Sequence, residues 1–144
     1  ALLDWKEYGR AYAQEMKASA IALATELRAR EVPVFETARG ITESHQFAVR
    51  AARYGGGHAA AKRLRRANIL TSGIGLPVEP VANDFNGLRF GTPEIVRWGM
   101  TAADMPELAS LIAEALGSDE AAAGVADRAS TFRKAFQTLR FVRN

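Results

Sequence analysis

Asn86-Gly87-Leu88-Arg89-Phe90-Gly91-Thr92-Pro93 is the stretch from which the rest of this chain is read. On a strand, side chains alternate between faces, so Leu88 and Phe90 point one way and Arg89 the other. Gly87 and Gly91 flank Arg89 on its own face and are expected to leave its guanidinium open space and close backbone approach. Thr92-Pro93-Glu94 then reads as a helix start, with a threonine cap and proline in the first helical position. A rigid strand ending in a turn suits an arginine fork held against a carboxylate or phosphate. Spacing alone also permits a plainer reading, an edge arginine in a surface ion pair, and taken by itself the spacing favours it.

Upstream, residues 4 to 30 read as one long helix. Trp5, Tyr8, Tyr12, Met16, Leu23 and Leu27 form an apolar stripe expected to pack on a sheet or a partner domain. Asp4 with Glu7 resembles a capping box. Val32-Pro33-Val34-Phe35 reads as an edge strand and His45 to Ala51 as a second strand. Tyr54-Gly55-Gly56-Gly57-His58 leads into a helix from Ala59 to Arg66 and lacks the spacing of a phosphate loop. Residues 67 to 71 read as a short strand, and the loop from Leu76 to Phe85 delivers the chain to Arg89.

Downstream, a helical turn over Glu94 to Arg97 ends at Gly99. A helix carrying Leu108, Leu111, Ile112 and Leu116 closes at Gly117, its start set by Thr101 with Asp104 or by Asp104 with Glu107. Ser118 caps a last helix to about Leu139. The pattern predicts an α+β fold, a small mostly antiparallel sheet with helices on one face, in a single domain over 1–144.

Composition narrows the function. The 144 residues are 48% hydrophobic and 24% charged, an ordinary globular balance. Without cysteine there is no disulfide, thiolate nucleophile or cysteine metal site, and no metal-ligand cluster is read elsewhere. No apolar run reaches bilayer length and no signal segment opens the chain, so a cytoplasmic protein without a membrane partner is expected. The net charge of +3 gathers at Lys62, Arg63, Arg65 and Arg66 and again at Arg133, Lys134, Arg140 and Arg143. No aromatic interleaving accompanies these clusters, so they read as solvated faces and no nucleic-acid partner is expected. A chain that opens on Ala1 and runs at once into a helix is expected to be a piece of a longer polypeptide.

The Asn86 to Pro93 run, with Arg97-Trp98-Gly99-Met100 and Asp104-Met105, resembles the C-terminal signature of the serine hydroxymethyltransferases, Ser-Gly-(Leu/Ile)-Arg-x-Gly-Thr-Pro followed by an Arg-Gly-(Phe/Met) turn. Thr42-Glu43-Ser44-His45 and Ala67-Asn68-Ile69 are similar to further family segments. These are pyridoxal-phosphate enzymes with the aspartate-aminotransferase fold, and the resemblance covers their C-terminal small domain alone. It implies that Arg89 grips a substrate carboxylate, with Asn86, Gly87, Gly91 and Thr92 keeping the site's shape. The implied reaction is reversible Cα–Cβ cleavage of a 3-hydroxy amino acid with one-carbon transfer to tetrahydrofolate.

Where the family carries Asn-Lys-Asn near the folate, this chain has Ser72-Gly73-Ile74 before Pro77. That departure bears against tetrahydrofolate and towards a folate-independent aldolase or transaldolase. A non-catalytic interaction domain is the third reading. The lysine that bonds the cofactor belongs to the family's large domain, so pyridoxal phosphate is expected in a full-length enzyme, a homodimer by resemblance, and not in this piece alone.

Overall fold

The structure, a computed structural model, describes residues 1–143. Helix α1 (Leu2–Ala29) opens the chain and is followed by β1 (Gln46–Arg50) and α2 (Gly57–Arg66). Next come β2 (Ser72–Ile74), β3 (Gly87–Gly91), α3 (Pro93–Arg97), α4 (Met105–Gly117) and α5 (Asp119–Lys134). The three strands form one antiparallel sheet in the order β1-β3-β2. This is the α+β architecture that the sequence predicts.

Alternation decides which face is covered. Phe47 and Val49 of β1 and Leu88 and Phe90 of β3 are at most 5% exposed and join Leu23, Leu27, Leu64, Leu111, Ile112 and Leu116 of the helices in one core. Phe47 stacks on Phe90 with centroids 5.3 Å apart. Each such side chain contributes about 1.5–3 kcal/mol by leaving water. Gln46, Arg50 and Arg89 stand exposed on the opposite face.

Several boundaries differ from the sequence reading. Val32 to Phe35 is not a strand: only Val34 bridges to Val49, although Phe35 N–H reaches the Ala48 carbonyl at 2.8 Å. Pro33 has no N–H to extend the ladder. The strand expected over residues 67 to 71 lies instead at Ser72–Ile74. Asn68 adopts a left-handed φ of 60° and Ile69 N–H returns to the Leu64 carbonyl, so those residues are spent closing α2. At the start of α1, Trp5 N–H bonds the Ala1 carbonyl, which places Asp4 inside the first turn and not at a capping box.

Thr101 and Asp104 form a reciprocal capping box around the short 3-10 turn Ala102–Asp104, and α4 then starts from Asp104 without a side-chain cap. Ser118 Oγ accepts Ala121 N–H as expected. However, α5 stops at Lys134, because Phe136 folds back to bond Arg133 through N–H and C=O alike. The remaining tail crosses α3 and reaches α1. Arg140 N–H bonds the Arg97 carbonyl, Arg143 N–H bonds Asp4, and Phe141 stacks on Tyr12 at 5.0 Å. The aromatic stripe on α1 is accordingly divided: Met16, Leu23 and Leu27 are core, while Trp5 is 55% exposed.

Candidate functional site

β3 is the central strand, and this decides the surroundings of Arg89. Arg89 pairs with Ala48 of β1 on one side and Ser72 of β2 on the other. Directly paired residues share a face, so the guanidinium has two small neighbours and no bulky one. Among the described residues its side chain enters no ion pair or hydrogen bond, whereas Arg28, Arg30, Arg63, Arg66, Arg128 and Arg143 all have carboxylate partners. The edge arginine in a surface ion pair is therefore not what the chain builds.

The two flanking glycines do different jobs. A Cβ on Gly91 would meet Pro93 at 3.6 Å and the His45 carbonyl at 3.9 Å, ordinary contacts that leave the space beside Arg89 open. A Cβ on Gly87 would lie 2.6 Å from Leu76 and 2.8 Å from the Ile74 carbonyl. Gly87 thus serves the close backbone approach that the spacing predicts and leaves no open space beside Arg89. Its neighbour Asn86 is 8% exposed and works as a clasp. Its Oδ1 accepts Leu76 N–H at 2.7 Å, and its Nδ2 donates toward the carbonyls of Leu76, Val78 and Glu79. Asn86 therefore holds the proline loop against the start of β3.

Thr92 precedes α3 but makes no side-chain cap. Its fully buried hydroxyl lies 2.7 Å from the Met16 carbonyl and 3.1 Å from the His45 carbonyl. The hydroxyl thus ties the end of β3 to α1 and to the entrance of β1. Tyr12 adds a second tie, donating to the Pro93 carbonyl at 2.7 Å, and burial pushes its phenol above the usual tyrosine range. The strand carrying Arg89 is fixed from behind at both ends, which is what precise presentation of a charged fork needs.

The groove over Arg89 is lined by His45, Gln46, Leu70, Thr71, Ser72, Gly91 and Pro93. Of the residues singled out in the sequence, Arg89, Ser72 and Gly91 come together here. Ile74 pairs with Gly87, two residues along the same face, and Gly73 faces α2, where a Cβ would meet Phe85 at 2.9 Å. Pro77 lies exposed in the bend that Asn86 clasps and does not line the groove. Alternation placed Gln46 on the face opposite Phe47, but the pairing that brings it beside Gly91 has no local signal. Leu70 and Thr71 also line the groove, which a strand over residues 67 to 71 does not predict.

The Gly55-Gly56-Gly57 loop does not cradle an anion. The Asp84 carboxylate already accepts the N–H groups of His58, Ala59 and Phe85 at 2.9, 3.1 and 2.6 Å, filling the N-terminus of α2. Desolvation pushes the Asp84 carboxyl up, but these three donors together outweigh it and hold it below the usual carboxylate range. A Cβ on Gly56 would strike Asp84 at 2.3 Å, and one on Gly57 would strike the Gly87 carbonyl at 2.1 Å.

Chemically, the groove offers one unpaired guanidinium and neutral donors, with no carboxylate among its lining side chains. Such an arrangement has the chemistry to take an anion, best a planar carboxylate held bidentately. It does not suit pyridoxal phosphate. The cofactor's aldehyde needs an amine, and Lys6, Lys17, Lys62 and Lys134 all lie on helices outside the groove. Its ring nitrogen needs a carboxylate, also lacking there. Among the described residues the groove is no cradle for that cofactor.

No protein-family model matches the chain. An α-methylserine aldolase from Ralstonia is 51% identical over 142 residues, covering 99% of this chain and 32% of that protein. A serine hydroxymethyltransferase from Methanopyrus kandleri is 38% identical over 143 residues, covering 98% of this chain and 33% of the relative. The crystal structure of an L-threonine transaldolase from Pseudomonas fluorescens in its internal aldimine state superposes with a TM-score of 0.81 at 25% identity. It covers 96% of this chain and 31% of that one. The chain thus spans about a third of the length of the relatives it matches.

Proposed function

Because this chain is a domain of the enzyme family that includes the α-methylserine aldolases and serine hydroxymethyltransferases, we propose that it serves the cleavage of a β-hydroxy amino acid by holding the substrate carboxylate on Arg89. The observation that carries this reading is a guanidinium on a central strand, flanked by Ala48 and Ser72 and without a partner among the described residues. A bidentate grip fixes the orientation of Cα, so that the bond to be broken is presented in one geometry. Pyridoxal phosphate, the electron sink for such cleavage, would be held by the rest of the polypeptide, and a homodimer is the assembly we expect.

For the substrate we favour an amino acid substituted at Cα, cleaved without folate. Support comes from the identity to α-methylserine aldolases and from β2, whose Ser72, Gly73 and Ile74 carry no side-chain amide to meet a pterin. The second reading, one-carbon transfer to tetrahydrofolate, rests on the similarity to serine hydroxymethyltransferases.

Formaldehyde release from α-methylserine, measured on the intact protein with and without tetrahydrofolate, separates the two. Release indifferent to folate is the expected result, and release that requires folate overturns it in favour of transfer. No cleavage under either condition removes both and leaves an interaction domain. Arg89→Lys, which keeps the charge and loses the fork, should lower kcat/KM on the order of 10²-fold.

A further inference from the structure

Two polar residues of β1 stand diagonally on either side of Arg89. Gln46 pairs with Gly91, Ala48 with Arg89 itself and Arg50 with Gly87, so the three β1 side chains share the open face with Arg89. A diagonal neighbour on such a face lies about 7–8 Å away, within reach of a long side chain. The two diagonals differ in what surrounds them. Opposite Arg50 the space over Gly87 is filled, because a Cβ there would lie 2.6 Å from Leu76. The Arg50 guanidinium lies 5.8 Å from the centre of the Phe35 ring, and Arg50 does not line the Arg89 groove. Opposite Gln46 a Cβ on Gly91 would meet nothing closer than 3.6 Å, and Gln46 does line the groove.

The main chain of Gln46 is fixed while its amide is free. β1 lies at the edge of the sheet, and the outer side of Gln46 is closed by the turn before it. Its carbonyl accepts Thr42 Oγ1 at 2.6 Å, and its N–H donates to Ser44 Oγ at 3.3 Å. One residue earlier, the His45 carbonyl accepts Thr92 N–H at 3.0 Å and Thr92 Oγ1 at 3.1 Å, which ties the same turn to the end of β3. Thr42-Glu43-Ser44-His45 therefore seats Gln46 relative to the strand that carries Arg89. The side-chain amide of Gln46 stands exposed and makes no hydrogen bond among the described residues.

We propose that Gln46 is a second carboxylate-binding residue of the groove, its Nε2 donating to the carboxylate that Arg89 grips. The guanidinium fork takes two of a carboxylate's roughly four lone-pair sites and leaves others for a further donor. An amide supplies that donor without a charge that Arg89 would repel. The assignment deepens the reading of Arg89 given above and rests on it.

Titration calorimetry on the intact protein tests this with glycine, which has the carboxylate and no β-hydroxyl. Gln46→Leu, close in size and without the donor, should weaken glycine binding about tenfold, as for loss of one hydrogen bond to a charged group. Gln46→Glu should weaken it further, because a carboxylate would then face the ligand's own and engage Arg89. Arg50→Gln, on the other diagonal, should leave it within about twofold, and urea unfolding should be unchanged in all three variants. Glycine binding unaffected by Gln46→Leu, or retained in full by Gln46→Glu, overturns the proposal. Arg89→Lys tells that failure from failure of the underlying reading. Binding weakened by Arg89→Lys and indifferent to Gln46→Leu removes Gln46 alone. Binding indifferent to both, or absent from the parent protein, removes the carboxylate reading and Gln46 with it.

Discussion

On the covered side of β3, Leu88 and Phe90 meet Phe47, Val49 and the helices, and every position is decided by how well it fills space. On the open side, Arg89 stands between Ala48 and Ser72 with no space to fill and no partner among the described residues. One five-residue strand therefore carries two kinds of constraint, alternating residue by residue. Packing on one face holds the backbone still, and the other face uses that stillness to aim a charge.

The sharpest test of this contrast substitutes adjacent residues. Leu88→Ala removes a side chain with no exposure and should cost about 2–5 kcal/mol of stability. Arg89→Ala, one residue on, should leave stability within about 0.5 kcal/mol while abolishing anion binding in its groove. Denaturant unfolding of the two variants measures the difference. Comparable losses in both would mean that Arg89 is part of the packing and that the two faces are not separate.

The face assignment was legible from the sequence because Leu88-Arg89-Phe90 and Phe47-Ala48-Val49 alternate cleanly, and alternation is a local property. The central place of β3 was not legible. It arises from pairing to residues some forty positions upstream and fifteen positions upstream, and no short-range pattern encodes that order. The same limit explains Asn86 and Thr92. Asn and Thr are good turn and cap residues, so sequence suggests local partners for them, yet Asn86 bonds Leu76, Val78 and Glu79, and Thr92 bonds Met16 and His45. Residues 67 to 71 read as a strand for another reason: Asn68 tolerates a left-handed φ, so the same run can end a helix as readily as begin a strand.

The glycines on either side of Arg89 sharpen the comparison at a smaller scale. Gly87→Ala pushes a methyl group to 2.6 Å from Leu76 and 2.8 Å from a backbone oxygen that cannot retreat. It should cost about 1–3 kcal/mol by overpacking. Gly91→Ala meets nothing closer than 3.6 Å and should be nearly neutral for folding. Its methyl group would intrude on the groove beside Arg89, so its effect should appear as a raised KM for an amino-acid substrate with stability unchanged. Equal thermal shifts in the two variants would break the distinction between a glycine kept for packing and one kept for ligand space.

The smallest effect concerns the loop behind the strand, where Asp84 fills the N-terminus of α2 and so joins the packing side of the comparison. Its folded carboxyl titrates below the ordinary value of 3.8, so the deprotonated form is the one the fold prefers. A group shifted in this direction contributes its full stability above the unfolded value, and the contribution is lost as pH falls from there through the folded value. Asp84→Asn retains an acceptor oxygen and removes the titration. It should cost less near neutral pH than the about 0.5–2 kcal/mol of losing a helix cap outright, and should lose less of its remaining stability below pH 4 than the parent protein does. Urea unfolding at about pH 7 and pH 3 measures both parts. Parallel losses on acidification in the two proteins would show that the three N–H donors are satisfied equally well by a neutral side chain, and would move the acid sensitivity to carboxylates elsewhere, such as Glu114 beside Arg128.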